Sequence, residues 1–442
     1  MSRALRIGCA LLIALRIALL PHSLQGSWRH ADFSIYYLSG LAFSAGENPY
    51  AANFAPLAAR LGLETQFVNH ATDPPTFILL TAPLARLDPR SAFAVWSGFN
   101  LAALAAAMVL LLGPAARLDP TAAWAIAAFF AWYPPVINHA YLGQSKMSLL
   151  LALTLVMRLL RTVGPSSTAT TIDSPNIKLP TRGREAAAGL ILAFAVLTRV
   201  LPLILTGYLI IQRRWRVMLW MSAGLLVGGA LTVAAFGLVN TLSFFTRGID
   251  LLTARFHLSG GSNLALSAFI SRCFWRLRPH PGVGLDFLRQ AAILVADSLI
   301  ALFTLRASIG VDDTSDIRAP VFSLWVATMI LLSPTAWPHY LVLLILPFAN
   351  LATAALAHRA SRRACWAAAA SIAPIMLYFH GLYPFTGSAS LWIASTLGES
   401  GFFALFAGWL AVYWFALDRA DAARPTLLQT PSSAWKQAFR NE

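Results

Sequence analysis

Long apolar runs dominate this 442-residue chain and constrain its fold more than any other feature. A helix needs about 20 apolar residues to cross about 30 Å of hydrocarbon, and the chain supplies such runs repeatedly. Charged residues make up only 12% of the sequence, against about 25% in a soluble domain. The pattern excludes a soluble fold and predicts an all-α polytopic membrane protein with about 10–13 transmembrane helices. The longer runs lie near residues 5–21, 91–112, 146–161, 185–212, 215–239, 286–306, 320–334, 340–357, 366–382 and 391–415, and shorter ones near 76–87 and 121–137.

The net charge of +15 comes mostly from arginines in short segments between the apolar runs. Clusters of this kind occur at Arg213–Arg216, at Arg362 with Arg363, and at Arg419. They are typical of cytoplasmic anchors under the positive-inside rule. The positive charge therefore orients the chain in a membrane and does not indicate a nucleic-acid partner.

The first apolar run follows Arg3 and Arg6 and resembles a signal peptide in outline. No cleavage site of the A-x-A type precedes the next polar stretch, and Arg16 interrupts the run. We therefore expect an uncleaved first helix. The cysteines are scattered along the chain, which indicates neither a disulfide framework nor a metal site. They are Cys9, Cys273 and Cys365.

Two long polar stretches interrupt the apolar pattern, at residues 22–74 and 240–285. With a cytoplasmic N-terminus the first stretch is an external loop. The second follows a helix that begins at Arg213–Arg216, so we expect it on the same side. Within the first stretch, apolar residues recur at i, i+3 and i+4, which predicts interfacial amphipathic helices. These residues are Phe33, Tyr36, Tyr37, Leu41 and Phe43, followed by Leu57 with Leu61.

Residues 162–184 are rich in Ser, Thr and Pro, which predicts a flexible linker. Its side of the membrane depends on the run at 185–212. One long helix there places the linker outside, whereas a break at Arg199–Pro202 places it in the cytoplasm. No internal repeat is visible, so we expect a single transmembrane domain over residues 1–442 with a C-terminal tail at 416–442.

Asp32 directly follows the first apolar run and is a candidate for acid–base chemistry. A carboxylate at the mouth of a membrane cavity can act as a general base when burial raises its pKa toward neutrality. The alternative is a helix N-cap, which Asp favours and which fits the helical pattern that follows. The residues alone leave both interpretations open. Turn chemistry is the favoured interpretation of Gly46–Tyr50 and Asp73–Pro75, and a role in the site is the alternative.

Polar residues beside apolar runs are energetically costly, so each one is a hypothesis of function. After Tyr133–Pro135, Lys146 can hold an anionic group and Gln144 a hydroxyl; a helix cap with a snorkelling lysine is the alternative. Arg199 interrupts a strongly apolar run. It pairs with an anion in a cavity or sits at the interface between two short helices.

Three further candidates lie later in the chain. Asn263 and Arg272 suit the same anion, although an arginine in an exposed loop is commonly just solvated. His339 lies in Ser333–Tyr340, between two apolar runs, where it donates to a phosphate or sugar hydroxyl or simply packs at the interface. Together the candidates place one carboxylate and several cations or imidazoles at the outer ends of helices. That pattern fits an anionic lipid-linked substrate.

At these residues the sequence resembles glycosyltransferase family 87, which includes mycobacterial alpha-1,2-mannosyltransferases. Each matching motif is short, but the motifs occur in family order over most of the chain. They are Asp32-Phe33 with Tyr36-Tyr37, Gly46–Tyr50, Pro74-Pro75 with Ala82–Leu84 and Trp96, Gly143-Gln144, Arg199 with Pro202, Asn263 with Arg272, and Ser333-Pro334 with Trp337 and His339.

The resemblance implies a GT-C glycosyltransferase-like fold, a polyprenyl-phosphate-linked sugar donor and an acidic catalytic base in the first external loop. In this sequence that role falls on Asp32. Three positions depart from the family pattern. Asp73 stands where an aromatic residue is usual, Arg199 where a lysine is usual, and Tyr340 where a second histidine is common. These changes leave the reaction class in place but leave the sugar and the acceptor open.

The resulting hypothesis is an inverting hexosyltransferase of the cell membrane, acting on a lipid or glycan acceptor at the extracytoplasmic face. No metal ion is expected, because no second carboxylate is close to Asp32 in sequence; Glu47 and Asp73 are the residues that could provide one. No cofactor is expected. The rival hypothesis is a transporter or flippase for an anionic or lipid-linked solute, which would use the same intramembrane charges. The residues expected to bind the donor phosphate or sugar are Arg199, His339, Lys146, Arg272, Gln144, Asn263, Tyr36 and Tyr37.

Overall fold

Helices and their connections make up the computed structural model of the chain, and every regular element in its described residues is helical. The described residues are 2–29, 31–65, 70–160, 180–248, 262–277, 283–309, 315–379 and 399–423. The α-helices are α1 Ser2–Ser23, α2 Ala31–Ser44, α3 Ala55–Leu61, α4 Pro75–Thr81, α5 Pro89–Leu118, α6 Pro120–Ala131, α7 Pro134–Leu142, α8 Lys146–Leu160, α9 Thr181–Thr198, α10 Leu205–Ile211, α11 Trp215–Phe236, α12 Leu238–Ser243, α13 Leu266–Leu277, α14 Val283–Ser308, α15 Ser315–Leu331, α16 Ile345–Leu356, α17 Arg362–Phe379 and α18 Ser400–Ala423. Short 3₁₀ segments occur at Ser27–Arg29, Ala82–Arg86, Leu201–Ile204 and Pro338–Leu344, and a π-turn at Phe244–Gly248.

Six helices in the described part of the chain are long and apolar enough, by length and composition, to cross a membrane. They are Arg3–Ser23, Pro89–Leu118, Trp215–Phe236, Gly284–Ser308, Pro338–Leu356 and Ser400–Ala420. Shorter apolar helices accompany them at Pro120–Ala131, Leu201–Ile211 and Arg318–Leu331. The all-α polytopic class predicted from the sequence is therefore confirmed, and shorter apolar helices lie at several of the other predicted apolar runs.

The apolar run at 185–212 is not one long helix: it is broken at Arg199, which agrees with the predicted alternative of a break at Arg199–Pro202. Helix α9 ends at Thr198, Arg199 is extended, and a 3₁₀ turn carrying Pro202 leads into α10. Proline lacks an N–H and its ring clashes with the preceding turn, so α9 cannot continue through this point. The chain returns through residues 201–211 before α11 begins.

Helices α9 and α11 run in the same direction and touch closely. Glu185 lies 3.8 Å from Arg216, so both helices begin at the same end of the molecule. Further along, a Cβ added to Gly224 would lie 2.7 Å from the Cβ of Ala193. Small residues allow such close crossings between membrane helices. The return through 201–211 is what makes this parallel pairing possible.

Arginines gather at the end where α8 stops and α9 starts. Arg184 donates to the carbonyl of Arg158 at 3.3 Å, and Arg318 donates to the carbonyl of Leu160 at 3.0 Å. Together with Arg216 these residues define what we call the arginine-rich end. Helix α8 begins, and α9 ends, at the opposite end of the bundle. The predicted site residues Lys146 and Arg199 lie there.

Both helices predicted within 22–74 are present, as α2 and α3. Residues 33–40 of α2 are all buried, so the protein encloses this helix rather than leaving one face open. Its aromatic side chains pack edge-on against neighbours: the Phe33 ring lies 5.1 Å from Phe93, and the Tyr36 ring 4.9 Å from Phe77. The site residues carried by α2 therefore have fixed positions.

Several predicted segments cannot be compared with the structure. Most of the expected linker at 162–184, the middle of the second stretch at 240–285 and most of the tail at 416–442 lie outside the described residues.

The contact between α9 and α11 gives a first prediction. A Cβ at Gly189 would lie 2.5 Å from the carbonyl oxygen of Val217 and 2.8 Å from the nitrogen of Met221, whereas nothing lies within 4 Å of one at Gly229. Both glycines are helical, so alanine improves helix propensity equally at each. We expect Gly189→Ala to lower the melting temperature of the purified protein, because overpacking costs about 1–3 kcal/mol. Gly229→Ala is the matched control, and equal melting temperatures for the two variants would contradict the close contact.

Candidate active site

Arg199 ties three separate segments together at the break after α9. Its Nε donates to the Oγ of Ser145 at 2.8 Å, its Nη2 donates to the hydroxyl of Tyr36 at 2.9 Å, and its Nη1 donates to Oδ1 of Asp73. The guanidinium also lies 4.3 Å from the centre of the Phe77 ring. A planar fork that pairs with a carboxylate and stacks on an aromatic face is an arrangement that arginine makes and lysine does not. Arg199 stands where a lysine is usual in the family, and Asp73 is the carboxylate that pairs with its guanidinium.

Asp73 is held in place by the turn motif that precedes it. The Tyr50 hydroxyl donates to the carbonyl oxygen of Asp73 at 2.6 Å, and the Asn48 side-chain oxygen accepts from the Tyr50 N–H at 3.0 Å. Burial raises the pKa of Tyr50, and the Asp73 carboxylate raises it further, so the hydroxyl keeps its proton. The sequence favoured turn chemistry at Gly46–Tyr50 and at Asp73. The hydrogen bonds show in addition that the turn at Gly46–Tyr50 holds the backbone of Asp73 in place.

Lys146 lies at the start of α8 and is buried, with only 2% of its surface exposed. This excludes the alternative of a snorkelling lysine. Its Nζ donates to the Gln144 side-chain oxygen at 3.2 Å and lies 4.5 Å from the centre of the Tyr340 ring. An ammonium has three N–H donors, so in the described part of the chain two of them remain for a ligand. Gln144 also accepts from the Tyr36 hydroxyl at 2.8 Å, which connects Lys146 to the Arg199 group.

Gly143 brings Gln144 into this position. Its φ of +65° is in the left-handed region, and a Cβ there would lie 2.8 Å from the Cβ of Phe33. The Trp96 indole N–H donates to the Gly143 carbonyl at 2.7 Å. The glycine is thus required both by the backbone conformation and by the close approach of α2.

Asp32 is the second residue of α2, where the helix dipole stabilises a carboxylate. It is partly exposed, unlike the buried residues after it. Burial raises the pKa of Tyr36, the charge of Arg199 opposes the rise, and the carboxylates of Asp73 and Asp32 add to it. The Asp32 carboxylate also acts on the charge of Lys146. Asp32 therefore lies within electrostatic reach of the same cluster.

His339 belongs to the same region, in the segment Pro338–Leu344. It is buried, its ring centre lies 5.0 Å from that of Tyr340, and the charges of Lys146 and Arg199 act on it. Its Nδ1 is enclosed without a hydrogen-bond partner among the described residues. His339 is thus placed to donate or accept one hydrogen bond when a ligand enters.

His139 is a site residue that the sequence analysis did not identify. Its Nε2 accepts from the backbone N–H groups of Lys146 at 2.6 Å and Met147 at 3.2 Å, which caps the start of α8. Because Nε2 accepts, the ring proton of a neutral imidazole lies on Nδ1. Histidine is not among the residues that favour helix N-caps, so the sequence carried no signal for this role.

Arg272 and Asn263 form a second group. Arg272 binds both carboxylate oxygens of Glu399, at 2.8 and 2.6 Å, and donates to the Asn263 carbonyl at 2.8 Å. The Asn263 side chain donates to the Pro334 carbonyl at 3.1 Å and accepts from the Ala336 N–H at 2.8 Å. The anion bound by Arg272 is therefore a protein carboxylate, and this group fixes the segment that leads to His339.

Tyr37, the remaining predicted site residue, donates to the carbonyl of Leu87 at 2.7 Å. Among the residues that the structure describes, no three His, Cys, Asp or Glu side chains are grouped as metal ligands would be.

The fold and this cluster define a membrane-embedded helical protein with a buried, charged site at one end of its bundle. The sequence matches the family description "Glycosyltransferase family 87" over residues 71–334, well over half of the chain. The chain belongs to glycosyltransferase family 87. The predicted family is confirmed, and with it the class of glycosyltransferase that its description names.

Two crystal structures of ArnT from Cupriavidus metallidurans are similar to the chain at 16% sequence identity. The one bound to undecaprenyl phosphate gives a TM-score of 0.42 and covers 94% of this chain and 78% of the ArnT chain. The one in the apo state gives a TM-score of 0.41 and covers 94% and 77%. No curated protein sequence matches the chain.

The pair of Arg199 and Asp73 gives a second prediction. Asp73→Asn leaves the Arg199 charge buried without its carboxylate, and breaking a buried pair costs about 3–5 kcal/mol. We expect a lower melting temperature, partly recovered in the double variant Asp73→Asn with Arg199→Gln because both charges are then absent. Asp418→Asn is the control, since Asp418 pairs with Arg363, whose side chain is 51% exposed. Failure of the double variant to recover any stability would contradict a specific pair.

Proposed function

We propose that the chain transfers a hexose, with mannose the first choice, from a polyprenyl-phosphate-linked donor to a hydroxyl of a lipid or glycan acceptor. The observation that supports this most directly is that a buried lysine and a partly exposed carboxylate lie in one cluster. Lys146 keeps two N–H donors for a ligand in the described part of the chain, and Asp32 lies within reach of its charge. A cation such as Lys146 stabilises a phosphate leaving group, and a carboxylate such as Asp32 accepts the proton of an acceptor hydroxyl.

Lys146 is the preferred ligand for the donor phosphate. The three nitrogens of Arg199 already bind Ser145, Tyr36 and Asp73, and the Asp73 carboxylate offsets its charge. Among the described residues Lys146 forms no ion pair with a carboxylate; its ammonium contacts an amide oxygen and an aromatic face. Negative charge that develops on the departing phosphate is stabilised by a preorganised cation in a site of low dielectric. From the sequence, Arg199 was the first choice as ligand for the donor phosphate; its contacts now favour Lys146 instead.

Asp32 is the preferred general base. In a single displacement the acceptor oxygen bonds to the anomeric carbon, the bond from that carbon to the phosphate oxygen breaks, and the phosphate keeps the electron pair. Asp32 takes the proton of the acceptor hydroxyl, and the configuration at the anomeric carbon is inverted. Asp73 is the other carboxylate in the cluster, but it is buried and Arg199 binds its Oδ1. The partial exposure of Asp32 leaves it accessible to an acceptor from outside the bundle.

The remaining predicted binding residues divide into two roles. His339 and Gln144 are proposed to contact the donor, since both border Lys146. Tyr36 positions Gln144 and Arg199, Tyr37 anchors α2, and Asn263 with Arg272 holds the segment before His339. We propose that these four position the site rather than bind the donor.

The site is proposed to face outward from the cell membrane. Arg158, Arg184, Arg216 and Arg318 lie at the opposite end of the bundle, and basic residues favour the cytoplasmic side. Membership of a glycosyltransferase family favours the transferase over the transporter or flippase considered from the sequence.

Replacement of the proposed base is the direct test of the reaction. Asp32→Asn keeps the size of the side chain but removes its basicity, and a general base contributes about 10²–10⁴-fold. We expect a loss of kcat in that range, measured with purified protein and a polyprenyl-phosphate sugar. Asp119→Asn is the control, because Asp119 caps α6 and asparagine caps equally well. Turnover at the wild-type rate in a correctly folded Asp32→Asn variant would refute the assignment.

Replacement of Lys146 tests the phosphate site. Loss of one preorganised donor in such sites costs about 10²–10³-fold in kcat. We expect Lys146→Gln to lose this much, and Lys146→Arg to recover part of it because the charge is restored. Arg182→Gln, at an exposed position on the arginine-rich end, should leave the rate unchanged. An equal rate for Lys146→Gln and wild type would place the phosphate elsewhere.

A further inference from the structure

Arg16 is a buried cation in the first membrane helix, away from the proposed active site. Helix α1 is otherwise apolar around it, and the residue is only 7% exposed. It lies seven residues before the end of α1 at Ser23, about 10 Å along the helix axis. An unpaired charge at such a depth is costly and marks a functional site.

Trp132 covers one face of the Arg16 guanidinium. The distance from the guanidinium carbon to the ring centre is 5.3 Å. The Trp132 indole N–H donates to the carbonyl of Leu12 at 3.1 Å, one turn earlier on α1, so the ring is fixed against the helix. A stacked ring satisfies the face of a guanidinium but none of the N–H groups in its plane.

Those N–H groups lack partners. Nε and Nη2 of Arg16 are enclosed and make no hydrogen bond to any residue that the structure describes. The sequence of α1 contains no Asp or Glu, and neither does that of α6, the helix packed against it. The site thus offers a positively charged donor edge, built by two helices, with no anion from either helix to occupy it.

The chemistry of the surroundings indicates which kind of anion would fit beside Arg16. Leu12, Leu15 and Leu19 are exposed on the surface of α1 near Arg16, as expected for contact with lipid chains. An anion that reaches a membrane helix arrives attached to a lipid, and a guanidinium binds phosphate oxygens through two parallel N–H donors. We propose that Arg16, held in place by Trp132, binds the phosphate of one anionic lipid between α1 and α6. This site is separate from the Arg199 cluster and does not depend on the proposed reaction.

Lipid retention by the purified full chain tests the proposal. The protein in detergent is titrated with phosphatidylglycerol or with phosphatidylcholine of the same chain length, and bound lipids are counted by native mass spectrometry. The wild type should hold one phosphatidylglycerol more tightly than phosphatidylcholine. Arg16→Gln should bind it at least about tenfold more weakly, as for loss of a charge-assisted hydrogen bond. Arg16→Lys should retain part of the affinity, and Arg3→Gln, which alters an exposed arginine of the same helix, should retain all of it.

Four results would overturn the proposal. Equal binding of phosphatidylglycerol by wild type and Arg16→Gln would remove Arg16 from the site. Equal binding of the two lipids by the wild type would remove the requirement for an anion. Displacement of the lipid by millimolar inorganic phosphate would indicate a site for a free anion. A lower melting temperature of Arg16→Gln with unchanged lipid binding would assign Arg16 to the packing of α1 against α6 alone.

Discussion

The ion pair between Arg199 and Asp73 is the interaction on which the rest of the site depends. A break in an apolar helix leaves backbone groups and a charge in surroundings that cannot solvate them. Arg199 resolves this by binding the segment before α4, the second turn of α2 and the turn before α8 through its three nitrogens. These partners are 126, 163 and 54 residues away in sequence. The same residue, Arg199, therefore stabilises the helix break and brings the segments of the site together.

The same pair determines which charge is left for a ligand. Because Arg199 and Asp73 offset each other's charge, Lys146 is the cation of the cluster that forms no ion pair with a carboxylate among the described residues. His139 holds the backbone of Lys146, Gln144 meets its ammonium, and Tyr36 fixes Gln144. Uncharged groups around a single cation suit a phosphate that gains negative charge when its bond to the sugar breaks.

Much of this could be predicted from the sequence, because it follows from local rules. The length of the apolar runs gave the membrane class, Pro202 marked the break after Arg199, and isolated polar residues marked the cluster. Partner choice could not be predicted, since it depends on contacts between distant segments. Arg272 pairs with Glu399 over 127 residues, and no periodicity relates them. The enclosure of α2 and the capping by His139 were missed for the same reason: both are set by tertiary packing.

The short return through residues 201–211 fixes the depth of the site. Gly228 meets the Leu197 side chain, so the end of α9 is level with that part of α11, about 14 residues above its start at Trp215. At 1.5 Å per residue this is about 20 Å, less than the roughly 30 Å of a hydrocarbon core. In the proposed orientation, with the arginine-rich end at the cytoplasmic surface, Arg199 and its partners lie below the opposite surface of a bilayer of ordinary thickness. Under the proposed function, the phosphate of a lipid-linked donor would reach these residues without leaving the membrane, and the water-soluble part of the acceptor would have to enter it.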